Sequence, residues 1–333
     1  MNIDPKKYSK TAYNFDVDKL KELEKLNYKK PLIDFLILLF TIILLSKVSI
    51  NIITFNYFFI IPIIFVIAGR QGVILQFMHE CAHNLISPDR KINTYFGKFL
   101  GLLIGLDFIE YKNTHRAHHG NASTINEPTT DQEKYKVTDT KSKTLYFLFI
   151  KDLVGISAIQ NFFNYSKNQE NTNENKNTFN YKKFIFKILN LSIMQLIILF
   201  FIFDANLIFY IILWIYPLVG PHMFLMRIRG IAEHGLHRQK GLGYVSKSEG
   251  AYYTRSFLTH SKRYNNTFFS LLERILIGSL NVNYHHEHHL NPRIPYYNLE
   301  KFYNTYKENI IDFVGTGVYE KGYFASVFQR NNS

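Results

Sequence analysis

Apolar positions along this chain come in long unbroken runs, not in the alternation of half-buried strands or the narrow stripes of soluble helices. Residues 31–50 and 52–68 form two runs with one residue between them. Residues 184–203 and 207–226 form two more, joined by Asp204-Ala205-Asn206. A helix needs about 20 apolar residues to cross a bilayer, so each run predicts a span and each pair a helical hairpin. Residues 96–109 are too few to cross and carry Lys98 and Asp107, which predicts a re-entrant or interfacial helix. Leu145 to Phe163, interrupted by Lys151 and Asp152, reads the same way. The expected fold class is therefore an all-α integral membrane protein with four transmembrane helices in two hairpins and a helical cap outside the bilayer.

The polar segments divide the rest. Residues 1–30 form a lysine-rich arm, 31–305 a membrane domain and 306–333 a tail, with no internal repeat. In the arm Val17, Leu20, Leu23 and Leu26 recur at helical spacing, which predicts an amphipathic helix lying on the membrane or packing on the rest of the chain. Residues 164–176, rich in Asn, Lys, Glu and Thr, read as a loop. The single Cys81 excludes an intramolecular disulfide.

Charge adds an orientation. Of the 39 Lys and Arg, all but Lys47 and Lys187 fall in residues 1–31, 70–183 and 227–333, the segments outside the hairpins. Lys and Arg accumulate on the cytoplasmic side of a membrane, so these segments and the cap are expected to be cytoplasmic. The net charge of +13 is spread over all of them and forms no nucleic-acid-binding stripe or module, so an anionic lipid surface accounts for it and no nucleic acid is expected.

Histidine supplies the chemistry. Nine of the 13 histidines sit in three short segments: His79-Glu80-Cys81-Ala82-His83, His115-Arg116-Ala117-His118-His119 and His285-His286-Glu287-His288-His289. On a helix i, i+3 and i+4 share a face, so the first segment presents two imidazoles and each of the others three, with His286 turned away. Isolated histidine pairs are ordinary, but eight at patterned spacing predict metal, and imidazole suits Fe, Zn, Cu and Ni. The first two segments follow the first hairpin and the third follows the second, so all emerge on one membrane face.

The order His-x3-His, His-x2-His-His, His-x2-His-His, with Asn281-Val282-Asn283-Tyr284-His285 through Tyr297-Asn298-Leu299 and Arg229-Gly230-Ile231-Ala232-Glu233-His234, resembles the bacterial branch of the membrane fatty acid desaturase and hydroxylase superfamily over residues 30–305. The resemblance implies a non-haem centre of two iron ions held by His79, His83, His115, His118, His119, His285, His288 and His289, with His234 as a ninth ligand. An Asn that the family places four residues before that histidine is here Gly230. Glu80, Glu233 and Glu287 are expected to orient ligand imidazoles, with Asp107, Glu110 and Asn113 as further candidates. His222, His237 and His260 lie outside the pattern. Asn190 and Gln195 in the third run are expected to hydrogen-bond between helices.

The implied reaction is O2-dependent desaturation of a lipid-linked acyl chain, reached through an apolar tunnel from the bilayer, in the bacterial inner membrane. The alternative is a hydroxylase or ketolase of the same superfamily acting on an alkane, sphingolipid or carotenoid. A metal transporter or haem-binding protein would be expected to set ionisable ligands near mid-membrane, whereas these lie outside the four runs. The chain has no His-Pro-Gly-Gly segment and no cysteine set for an iron–sulfur cluster, so a separate ferredoxin or cytochrome b5-type donor is implied.

Overall fold

The computed structural model describes residues 15–121, 143–161, 181–234, 267–314 and 322–328, and within them every regular element is helical. The short α1 (Val17–Leu23) precedes α2 (Lys29–Phe55), and a 3-10 turn at Tyr57–Phe59 leads into α3 (Ile60–His83). Next come α4 (Arg90–Ile104), α5 (Phe108–Asn121), α6 (Lys143–Leu153) and α7 (Tyr181–Phe203). α8 (Leu207–Tyr210), a π turn (Ile211–Ile215), α9 (Tyr216–Val219) and α10 (Pro221–His234) run on from one another. The remaining helices are α11 (Thr267–Leu276), α12 (His285–Leu290), α13 (Tyr296–Val314) and α14 (Tyr323–Phe328).

Four stretches are long and apolar enough to cross a membrane: Lys29–Ile52, Tyr57–His83, Ile185–Phe203 and Leu207–His234. The third is least covered by protein, with 6% of its most apolar window buried, and it leaves Ile193, Phe200 and Phe201 facing outward where lipid tails solvate them. Asn56 and Asn206 make the breaks between consecutive spans, each accepting a hydrogen bond from a backbone N–H of the following turn, Phe58 at 2.9 Å and Phe209 at 3.1 Å. Lys47 pairs with Asp204 at 2.5 Å, tying the far part of α2 to the turn after α7.

The second and fourth spans outrun the sequence expectation. Apolar runs ending near residues 68 and 226 continue as helix to His83 and His234, so those histidines ride on the spanning helices themselves. The polar residues that interrupt the apolar pattern find partners inside the protein. Gln71 donates to the Trp214 carbonyl at 2.8 Å, and Arg70 donates to the Ile275 carbonyl and to Ser279 Oγ. A buried polar group so paired no longer ends a helix.

α4 lies against α3 with Leu100, Leu103 and Ile104 buried, and the chain then turns by 104° into α5. Gly105 takes the left-handed conformation (φ 72°) that closes α4. Gln195 from the third span donates to the Leu102 carbonyl at 2.9 Å and accepts from Tyr210 at 2.9 Å and Trp214 at 3.2 Å, the interhelical role expected of it. Asn190 instead bonds back to Phe186 of its own helix. The charge that interrupts α6 is equally well used: fully buried Asp152 makes an ion pair with Arg227 of α10.

The first and last described helices both pack on the rest of the protein. α1 packs on α13, burying Leu23 among Tyr284, Leu290, Leu299 and Phe302, so it belongs to the body of the protein. α13 runs from Tyr296 across residue 305 to Val314. Beyond it, α14 buries Tyr323 and Val327 against Leu225, Ile228 and Ile231 of α10.

Candidate metal centre

Four helices, α3, α5, α10 and α12, place every histidine of the centre. α3 stops at His83 because Asn84 adopts a left-handed conformation (φ 61°) and the Leu85 N–H reaches back to the Glu80 carbonyl at 2.9 Å. His79 and His83 therefore share one face of its last turn. α5 carries His115, His118 and His119, α10 ends on His234, and the six residues of α12 are all buried.

The nine rings form two groups. His79, His83, His115, His119 and His288 make one, and His118, His234, His285 and His289 the other; within each, the nitrogens offered lie within 4.8 Å of one another. These are the nine positions singled out from the sequence. The single stripe expected of each His-x2-His-His segment is corrected: His115 and His119 join the first group and His118 the second, whereas His288 joins the first and His285 and His289 the second. Helix geometry is the cause, since i and i+4 are about 40° apart around the axis and i+3 and i+4 about 100°. The groups abut, with the His119 and His289 rings stacked at 4.3 Å between centroids.

The nitrogens face one another at close range. Nε2–Nε2 separations are 2.8 Å for His83 with His115, 3.0 Å for His119 with His115, 3.0 Å for His288 with His119 and 2.7 Å for His285 with His234. Two nitrogens bound at 2.0–2.1 Å to one cation, 90–109° apart, would be roughly 2.8–3.4 Å from each other. Neither ring nitrogen of buried His289 has a hydrogen-bond partner. Burial, with neighbouring imidazoles adding to it, holds His115, His285, His288 and His289 well below the usual imidazole range. They are therefore neutral near pH 7, the form that ligates a metal. The donor set thus fits two cations that accept nitrogen.

Two of the three acidic residues stand behind ligand-type imidazoles. Glu80 Oε1 is 3.2 Å from His79 Nδ1, and its Oε2 accepts from the Tyr296 N–H at 3.1 Å. Glu233 Oε2 is 3.4 Å from His285 Nδ1. Glu287 is fully buried on α12. Asp107 instead caps α5, accepting from the Ile109 and Glu110 N–H groups, and pairs with Lys187 at 2.9 Å; Asn113 is exposed. His286 and His222 are buried but belong to neither group, and Cys81 is a packed core residue. His237 and His260 lie outside the described residues.

Sequence reasoning missed four residues around the centre. Arg229 Nε lies 3.0 Å from both oxygens of Glu233, and its Nη1 donates to Gln76 Oε1 at 3.2 Å. Gln76 Nε2 is in turn 3.4 Å from His79 Nδ1. Tyr323 donates to Glu233 Oε1 at 3.0 Å. The fourth, Tyr296, also donates through its hydroxyl to Asp34 of α2. Only the i, i+4 pair Arg229–Glu233 left a local trace; the tyrosines come from distant segments.

The family model described as fatty acid desaturase matches residues 56–316. The chain belongs to the fatty acid desaturase family. A fatty acid desaturase of Bacillus subtilis (strain 168) is 22% identical to it over 261 residues, covering 74% of this chain and 67% of that protein. The family match holds all nine histidines and begins at the turn between the first two spans, so α1, α2 and α14 are outside it. As a family member the chain is an oxidoreductase embedded in a membrane by its four apolar helices.

Proposed function

We propose that this desaturase is an O2-dependent, non-haem di-iron enzyme that introduces a double bond into a lipid-linked acyl chain. The observation that carries the reading is the division of nine mutually facing imidazoles into one set of five and one of four. Such sets are too large for a single ion of ordinary coordination and suit two. With iron bound by the nine histidines, the centre would supply removal of hydrogen from unactivated C–H bonds, using O2 and electrons from a separate ferredoxin or cytochrome b5-type donor.

The protein's part is to position and to enclose. Glu80 and Glu233 orient His79 and His285 so that the opposite ring nitrogen of each points inward. Burial of His79, His118, His234, His285, His288 and His289 keeps bulk water from the centre. The seam between α3, α10 and α11, lined by Gly69, Gly72, Val73, Met226 and Leu276 and ending at Gln76 and Arg229, is mostly apolar. It supports an acyl path from bilayer to metal. Its cavity, about 10 Å³, has room for about one water, so an entering chain has to part these helices.

The distribution of Lys and Arg supports a centre on the cytoplasmic face, and the resemblance to the bacterial branch of the family supports a bacterial inner membrane. Lipid analysis of a host expressing the chain, set beside an iron assay of the purified protein, tests the reading. New double bonds and close to two irons per chain are expected. Hydroxylated chains without double bonds, or full activity with zinc alone, would overturn it.

A further inference from the structure

The last described helix, α14, reaches the second histidine group through one hydroxyl. Tyr323 is fully buried and donates to Glu233 Oε1 at 3.0 Å, while Glu233 Oε2 lies 3.4 Å from His285 Nδ1. Glu273 of α11 fixes the start of the helix, accepting from the Tyr323 N–H at 3.2 Å and the Phe324 N–H at 3.1 Å. The tyrosine is thus held from both sides, by its backbone and by its side chain.

We infer that Tyr323 is a positioning residue for the second metal ion, acting through Glu233 on His285; this rests on the metal-binding reading above. The Glu233 carboxylate has two oxygens and three neighbours to satisfy. Arg229 lies 3.0 Å from both oxygens, and without the hydroxyl at Oε1 nothing else described fixes how the carboxylate is rotated about its bond to the chain. With the hydroxyl in place, Oε2 is turned to His285 Nδ1. That holds the proton on Nδ1 and leaves Nε2, 2.7 Å from His234 Nε2, as the inward-facing donor. The first group has its own carboxylate, Glu80, fixed by the Tyr296 backbone N–H, and Glu233 reaches it only through Arg229 and the 3.4 Å contact of Gln76 with His79, so loss of the Tyr323 hydroxyl should act on the second ion first.

The test uses full-length, iron-loaded protein in detergent, challenged with a ferrous chelator under anaerobic conditions while iron release is followed. Wild type should release iron in two phases, and His118→Ala, which removes a donor from the second group, identifies the phase belonging to it. Tyr323→Phe keeps the ring and its packing and deletes the hydroxyl. It should speed that phase about 10-fold, at the lower end of the effect of losing a group that orients a metal ligand, and change the other phase less. Val327→Ala weakens the same helix from a fully buried site without touching Glu233, and should lower the thermal midpoint while leaving both phases alone. Unchanged release from Tyr323→Phe, equal acceleration of both phases, or an equal effect from Val327→Ala would each overturn the inference. A wild-type protein that holds no metal would instead overturn the metal-binding reading, and this inference with it.

Discussion

His118 and His119 are neighbours in the chain yet belong to different groups, so alanine at one should not resemble alanine at the other. His118→Ala leaves the second group with three donors, His234, His285 and His289, whereas His119→Ala leaves the first with four, still a full set for a four-coordinate ion. Four-ligand zinc sites bind with about 10–16 kcal/mol, or roughly 2.5–4 kcal/mol per ligand, which corresponds to about 100- to 1,000-fold in affinity. Iron(II) binds such donors more weakly than zinc, so the lower figure is expected here. His118→Ala should purify with close to one iron per chain. His119→Ala should keep nearer two, one of them held more weakly, and His286→Ala should match wild type in iron and activity because His286 lies outside both groups. Elemental analysis and chelator competition on protein in detergent read these values directly. Equal iron loss from the same site in both variants would refute the two-group assignment.

Three further outcomes are expected. In metal-free protein the imidazoles of His115, His285, His288 and His289 are held below their ordinary pKa, so the unfolded chain takes up protons first; stability is complete above about pH 6.5 and falls as the pH drops below it, and a thermal midpoint constant from pH 8 to 5 would contradict this. Gly72→Leu adds bulk to the seam beside His222 and Met226, where a Cβ would meet atoms at 3.6 and 3.8 Å; turnover should fall while iron content stays at two, and unchanged turnover on acyl chains of every length would remove this seam as the substrate path. Accessibility tags near Asn171 and at both ends should report the cytoplasmic side, and a periplasmic signal at Asn171 would show that the spans are miscounted.

The spans and eight of the nine histidines were legible in the sequence because each rests on local periodicity; His234, isolated in the sequence, was expected only from the family resemblance. An apolar run announces a span by length alone, and i, i+4 spacing announces a shared helix face. The ends of the second and fourth spans were not legible, since Arg70, Gln71 and Arg227 look like boundaries until their partners Ser279, Trp214 and Asp152 are in place. The sorting of histidines between groups was implicit in the 100° step between successive residues, but choosing which imidazole goes where required the neighbouring helices. Tyr323 left no mark at all: it lies 90 residues from Glu233 in the chain, and nothing near it in sequence suggests a carboxylate partner.

The division of the histidines along the chain also orders the birth of the centre. Four of the five imidazoles of the first group, His79, His83, His115 and His119, leave the ribosome early, whereas the second group has only His118 until His234 is made and is completed by His285 and His289. His288 follows His119 by 169 residues, about 8–34 s at 5–20 residues per second. During that interval four imidazoles of the first group have been made and the fifth has not, so in the proposed di-iron enzyme an early divalent ion would meet an incomplete set. On the di-iron reading, correct metallation would be decided partly by timing: the first pocket would have to refuse, or later exchange, an early occupant, while the second would be completed only after His285 and His289 are made.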